Sequence, residues 1–155
     1  MANKYISIEN IKFLLYKVHN VQELFEKDYF SEYSRESVDM MIDSAKDFGD
    51  KELFPFFTEM DRQGVTYENG KVQVHPQVFK VLSELGASGW INATQSFESG
   101  GMQLPGMVAN MVETIYIAAN NSGIGYTMLT AGAARLITTF GNDSLKEMAR
   151  NNGTH

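Results

Sequence analysis

From Ile8 to about Phe30 the apolar positions Ile8, Ile11, Leu14, Leu15, Val18, Val21, Leu24 and Phe25 recur every third or fourth residue. Ser7 stands where it can cap, and Glu9 and Asn10 open a polar face, so the spacing predicts one amphipathic helix. Tyr29 to Tyr33 breaks the pattern, and Ser34 offers an N-cap oxygen to a second helix whose buried face is Val38, Met41, Ile42, Ala45 and Phe48. Pro55 lies inside the continuing run from Lys51 to Met60. It removes one intrahelical donor and clashes with the preceding turn, which predicts a kink or a helix that restarts. Between Gln63 and Val74 the period falls to two: Val65, Tyr67, Val72 and Val74 alternate around Asn69-Gly70, the dipeptide suited to two positive φ angles. A short hairpin follows. Pro76 then suits the first turn of a helix with the face Val78, Val81, Leu82 and Leu85, ending at Gly86 or Gly89.

The stretch Asn92 to Pro105, with Gly100, Gly101 and several small polar residues, reads as a loop. Pro105 suits the first turn of an apolar helix carrying Met107, Val108, Met111, Val112, Ile115, Ile117 and Ala118. Asn120, Asn121 and Gly123 stop it, and a second nearly uncharged helix runs from about Gly125 to Phe140, ended by Gly141-Asn142. Glu113 and Arg135 are the two charges between Gly106 and Phe140. Such helices either pack tightly against each other as a central pair, helped by small residues such as Ala118, Ala131, Gly132 and Ala133, or present a face that protein or ligand outside this chain covers. No internal repeat or low-complexity tract interrupts the series.

The 155 residues, 43% apolar and 12% aromatic, suit one domain with a single core. Thirteen Lys and Arg against nineteen Asp and Glu leave a net charge of -6 with no basic cluster, which argues against a nucleic-acid partner. The absence of cysteine excludes a disulfide framework, a cysteine-ligated cluster and a thiolate nucleophile. His19, His75 and His155 share no helix-face spacing, so no metal site is expected. Met1 to Ile8 carries no secretory apolar run and no membrane span. The expectation is a soluble cytoplasmic protein.

Several segments resemble one family. Gly89-Trp90-Ile91 followed by Phe97-Glu98-Ser99-Gly100-Gly101-Met102-Gln103-Leu104-Pro105 is similar to the Gly-Trp turn and Gly-Gly-x-x-Leu-Pro loop of the acyl-CoA dehydrogenases. Asn120-Asn121-Ser122 with Tyr126-Thr127-Met128-Leu129-Thr130-Ala131-Gly132-Ala133 resembles the segment between that family's two central helices. Gly141-Asn142-Asp143-Ser144-Leu145-Lys146 resembles the turn near the end of its helical domain. The hairpin at Asn69-Gly70, with Asp61-Arg62 before it and Pro76 after it, is similar to the longer, mostly bacterial branch. Their order and spacing together are specific to that family.

The resemblance implies an all-α fold like the acyl-CoA dehydrogenase N-terminal domain, a helical bundle of about five to six helices with one short β-hairpin near 65–74. Residues 1–146 would be that domain, including a family-specific N-terminal helix at about 7–30, and 147–155 a tail that departs from the Tyr-Leu-Pro run of the family. It further implies a truncated member of a three-part enzyme in which FAD lies between this domain, a middle β-domain and a C-terminal helical bundle. Subunits usually associate as homo-oligomers. The chemistry implied is α,β-dehydrogenation of an acyl-CoA thioester, with a glutamate base in the C-terminal domain and the flavin motif Thr-Glu-Pro-x-Ala-Gly-Ser in the middle domain. Neither falls in this sequence, so no catalytic residue, no tight FAD binding and no activity are expected of the chain alone. The competing reading is a self-standing helical interaction module whose uncharged helices receive a partner helix.

Glu98, in a glycine-rich loop, is more readily a solvated carboxylate than a base. Glu113, a lone charge in an apolar helix, needs a partner to offset desolvation, and Arg135 on the following helix would meet it across an antiparallel pair. Gly100-Gly101 lacks the Lys and Ser or Thr of a phosphate loop, so it reads as a turn near the pocket. By the resemblance, Tyr126, Met128, Leu129 and Gly132 are the candidates for acyl-chain contact, although each alone also suits a core. Nine methionines, four of them between Met102 and Met128, suit a flexible apolar pocket or ordinary gap filling.

Overall fold

A computed structural model describes residues 5–152 of the chain, with side chains as far as Met148. The expected tail therefore lies partly outside the described residues, as does His155. Ser7 accepts the amide of Asn10 at 3.2 Å and opens α1 (Ile8–Phe13). The single helix predicted to about Phe30 does not form. Instead α1 widens into a π turn over Leu14–Val18, where the His19 amide reaches back to the Leu14 carbonyl at 2.9 Å. Asn20 then adopts φ +47°, a left-handed conformation that a short polar side chain tolerates, and ends the run. Only α2 (Gln22–Phe25) and a 3-10 turn at Asp28–Phe30 follow. The widened turn lets the sequence neighbours Leu15 and Tyr16 both reach the interior.

Ser34 and Ser37 cap each other's backbone at the start of α3 (Arg35–Phe48), a reciprocal capping box. Its Val38, Ile42 and Ala45 are buried as the period predicts. α1 is tied to this helix: the Tyr16 hydroxyl donates to Asp39 at 3.0 Å and Lys12 pairs with Asp43 at 2.9 Å. Beyond α3 the chain passes through a π turn at Gly49–Leu53 and a 3-10 turn containing Pro55, then restarts as α4 (Phe57–Gln63). The hairpin is present. β1 (Thr66–Glu68) and β2 (Lys71–Gln73) pair antiparallel, Thr66 opposite Gln73, around Asn69 and Gly70 at φ +53° and +78°. All six strand residues are exposed, so the hairpin stands off the core.

α5 (Pro76–Ala87) begins with Pro76 at its first position and His75 as its cap, whose Nδ1 accepts the Gln77 amide at 3.1 Å. It buries Val78, Val81 and Leu85. The two uncharged helices are joined into one element, α6 (Gly106–Phe140), with Pro105 as the residue before its first turn. The expected break shrinks to one residue, Asn120, whose φ of -166° and ψ of 95° are extended. Asn120 is 1% exposed, and its Oδ1 accepts the Gly123 amide at 3.0 Å, so it both ends the first half of α6 and caps the second. α7 (Asp143–Asn152) follows and runs without interruption past Lys146.

The core is built from Leu15, Val38, Ile42, Leu53, Val81, Val108, Val112, Ile115 and Ile124, so the first half of α6 is its central strut. The second half is different: the last buried residue of α6 is Thr127. Leu129, Leu136 and Phe140 are 76%, 62% and 80% exposed. Of the two sequence readings, tight mutual packing does not describe this half. Among the described residues no helix is long and apolar enough to cross a membrane.

Candidate functional site

The bend at Asn120 turns two faces of α6 toward one space. A cavity of about 190 Å³ lies there, bounded by Leu85 at the end of α5, by residues 90–95, and by both halves of α6. Ala109, Asn110, Val112, Glu113 and Tyr116 contribute from before the bend, and Ile124, Thr127, Met128, Ala131, Gly132 and Arg135 from after it.

The 90–95 wall is held by its own backbone. Gly89, at φ +80°, turns the chain into Trp90, and Trp90 packs edge-on against Tyr116 with ring centroids 6.4 Å apart. The loop then closes on itself: Gln103 donates its amide to the Gln95 carbonyl at 2.7 Å, and Leu104 to that of Ala93 at 2.8 Å. Gly101 makes this closure sterically possible. A Cβ there would stand 2.3 Å from the Gln95 carbonyl oxygen and 2.6 Å from that of Asn92. The Tyr33 hydroxyl donates to the Met102 carbonyl, which ties the loop to the N-terminal segment.

The floor of the cavity is apolar, and of its polar side chains Thr127 is bonded, donating to the Ile124 carbonyl at 2.7 Å. Thr94, Gln95, Asn110, Glu113 and Arg135 have no side-chain hydrogen bond or ion pair among the described residues. Tyr116 is 4% exposed, and burial raises its phenol above the ordinary value. The Glu113–Arg135 ion pair expected from the sequence is not made. α6 bends rather than folding back through a loop, and the arms of a bend separate with distance from it, so the two residues line one cavity without meeting.

The four pocket candidates divide between adjoining faces of one helix, Gly132 lying only three residues from Leu129. Met128 and Gly132, four residues apart, line the cavity, while Tyr126 and Leu129 lie on the outer, exposed side. Gly100 and Gly101 do not line the cavity; Gly101 supports it from behind Gln95. Sequence reasoning missed Thr94, Gln95 and Asn110, which carry no periodic or motif signal. The outer face of α6 is largely apolar, with Thr130 and Thr138 bonded back to their own helix.

A search of curated proteins returned no match. The family model for the acyl-CoA dehydrogenase N-terminal domain matches residues 35–149, from the start of α3 into α7. That span takes in the kinked α6, both walls of the cavity and the hairpin, and with it the chain belongs to the acyl-CoA dehydrogenase family, as its N-terminal domain.

Proposed function

We infer that the chain serves as the N-terminal domain of an FAD-dependent acyl-CoA dehydrogenase acting on acyl-CoA thioesters in the cytoplasm, and that the second half of α6 supplies one wall of the acyl pocket. The chain alone is inactive and holds no FAD tightly. Its partners are the middle β-domain and C-terminal helical bundle of such an enzyme, in a homo-oligomer. Residues 5–34 belong to the same unit, because α1 is bonded to α3 through Tyr16–Asp39 and Lys12–Asp43.

The observation that carries this reading is the apolar side of α6 left without cover: Tyr126, Leu129, Leu136 and Phe140 form one exposed stripe at helical spacing. An adjoining domain resting on that stripe would enclose a channel with a greasy wall. Of the four candidates, Tyr126 and Leu129 are on the stripe and take the acyl chain. Met128 and Gly132 line the adjoining space of about 190 Å³ and act by setting the helix in place. Gly100 and Gly101 shape the loop behind them.

The test has two parts. The purified 155-residue chain should be colourless after dialysis with FAD and inactive toward acyl-CoA with an artificial electron acceptor. In the enzyme that carries this domain with the other two, Leu129→Trp should raise KM for long acyl chains and leave short ones nearly unchanged, while Met128→Leu should not alter chain-length preference. A flavin band retained by the chain alone would overturn the reading. So would indifference of chain-length preference to Leu129→Trp, which is what an interaction module binding a partner helix on this stripe would give.

A further inference from the structure

Among the described residues three that are not glycine hold a positive φ: Asn20, Asn69 and Gln103, the last at +53°. The two asparagines have the short polar side chain that tolerates this conformation, and Gln103 does not. A residue of its kind stays there only where its surroundings fix it. The fixing falls on the peptide that joins Met102 to Gln103, which is gripped at both ends: the Tyr33 hydroxyl donates to its carbonyl, and its N–H donates to the Gln95 carbonyl at 2.7 Å. The Gln103 side chain adds a third bond, its Nε2 donating to the Tyr29 carbonyl. Tyr29 and Tyr33 belong to the N-terminal segment, before residue 35, where the family match begins. On the other side, Gln95 lines the cavity beside α6, and the Met102 sulfur lies over Gly89, 3.6 Å from where a Cβ would stand.

From this arrangement we propose that Tyr29 and Tyr33 form a strap that holds the Met102–Gln103 peptide in a strained orientation and thereby keeps the cavity wall at Gln95 closed. Rotation of one peptide plane changes ψ of the residue before it and φ of the residue after it with little change in chain path, so a flip at this bond carries Gln103 out of the left-handed region. The flip turns the Gln103 N–H away from the Gln95 carbonyl. The bond that closes the loop is then lost, and Gln95 is free to move off the cavity. Leu104, 2% exposed and bonded to Ala93 at 2.8 Å, marks where that movement stops. The strained peptide is the two-state element, and the strap is the contact that biases it. The assignment rests on bonds within this chain, so it stands or falls independently of the acyl-wall reading.

Substitutions at position 103 separate strain from ordinary looseness, because alanine keeps the left-handed penalty and glycine removes it, while both delete the side-chain bond to Tyr29. Gln103 is half-buried in a loop, so neither change touches the core. The experiment measures amide hydrogen exchange at residue 103 in the 155-residue chain, corrected for intrinsic rates, and in parallel the quenching of Trp90, its single tryptophan, by acrylamide. Exchange should be at least tenfold faster in Gln103→Ala than in Gln103→Gly, whereas a loop without strain would exchange faster with glycine, the more flexible residue. Tyr33→Phe keeps the buried ring and removes only the hydroxyl. It should speed exchange at residue 103 at least tenfold and leave the α3 amides unchanged, and Gln103→Gly added to it should restore most of the protection. Trp90 quenching should follow the same order, because Met102 covers the Gly89 turn that leads into Trp90. Exchange in Gln103→Gly equal to or faster than that in Gln103→Ala would overturn the proposal, as would exchange at residue 103 unaffected by Tyr33→Phe.

Discussion

Asn120 holds the carbonyl of Leu53 across 67 residues of sequence, its Nδ2 donating at 3.2 Å while its Oδ1 accepts the amide of Gly123 at 3.0 Å. One buried side chain thus bonds the π turn after α3 to the bend of α6 and sets the direction of the helix that carries every pocket candidate. Asn120→Ala leaves a buried carbonyl and a buried helix-terminal amide unbonded, each worth about 1–3 kcal/mol. The expected loss is about 2–6 kcal/mol, read as a lower urea midpoint. An unchanged midpoint would mean that the bend is held by packing alone.

The two adjacent loop glycines should differ sharply. Gly100 has φ +77° with nothing near a new Cβ, so Gly100→Ala costs only the left-handed backbone penalty, about 1–2 kcal/mol. Gly101→Ala drives a Cβ into two backbone carbonyl oxygens that cannot rotate away, and should cost about 3 kcal/mol or more with displacement of the 90–95 wall. Urea denaturation gives the first comparison. The emission of Trp90 gives the second, moving to longer wavelength in Gly101→Ala and not in Gly100→Ala.

Acid should weaken the contact between the π turn and α5. Glu52 accepts from Lys80 at 2.6 Å and from Gln77 at 2.8 Å, and these bonds, that from Lys80 foremost, hold its carboxyl below the ordinary value. A lowered folded value means that the stabilisation is fully present above the unfolded value of about 4.3 and is lost as pH falls through the folded one. Between about pH 5 and pH 3, the urea midpoint of the unsubstituted chain should therefore fall more than that of Glu52→Gln. The difference should also shrink in added salt, because the pair is open to solvent. Parallel pH profiles would remove Glu52 from the account.

The features that read correctly from the sequence are those whose cause lies within a few residues. Ser34 caps three residues ahead, Asn69-Gly70 needs only its own two φ angles, and Pro76 requires only a first turn. The misread features have distant causes. A π turn at Leu14–Val18 leaves the apolar spacing almost unchanged, so the break at Asn20 is invisible to a period of three and four. Asn120 looks like a helix stop until Leu53, 67 residues away, makes it a buried cap. In the second half of α6 Arg135 is the one charged residue, so no charged face marks outside from inside. That is why Tyr126 and Leu129 group in sequence with Met128 and Gly132, although only the second pair lines the cavity. The family resemblance survives these errors because it rests on the order of motifs rather than on faces.

The uncovered stripe on α6 governs how the chain behaves in solution. Leu129, Leu136 and Phe140 are each more than half exposed, and α7 leaves Leu145 and Met148 exposed as well. Large side chains such as these are each worth about 1.5–3 kcal/mol on full burial, a substantial share of the 5–15 kcal/mol that usually holds a domain together. The chain should therefore self-associate through this face or fray at its C-terminal helices. Sedimentation over a range of concentrations should show mass increasing with concentration, together with strong binding of a dye that reports exposed apolar surface. Leu129→Lys combined with Leu136→Lys removes the centre of the stripe without touching a buried residue, so it should reduce both signals several-fold while the helical circular dichroism stays constant. A concentration-independent monomer that binds no dye would mean that this face is satisfied within the chain, and would remove the observation on which the acyl-wall reading rests.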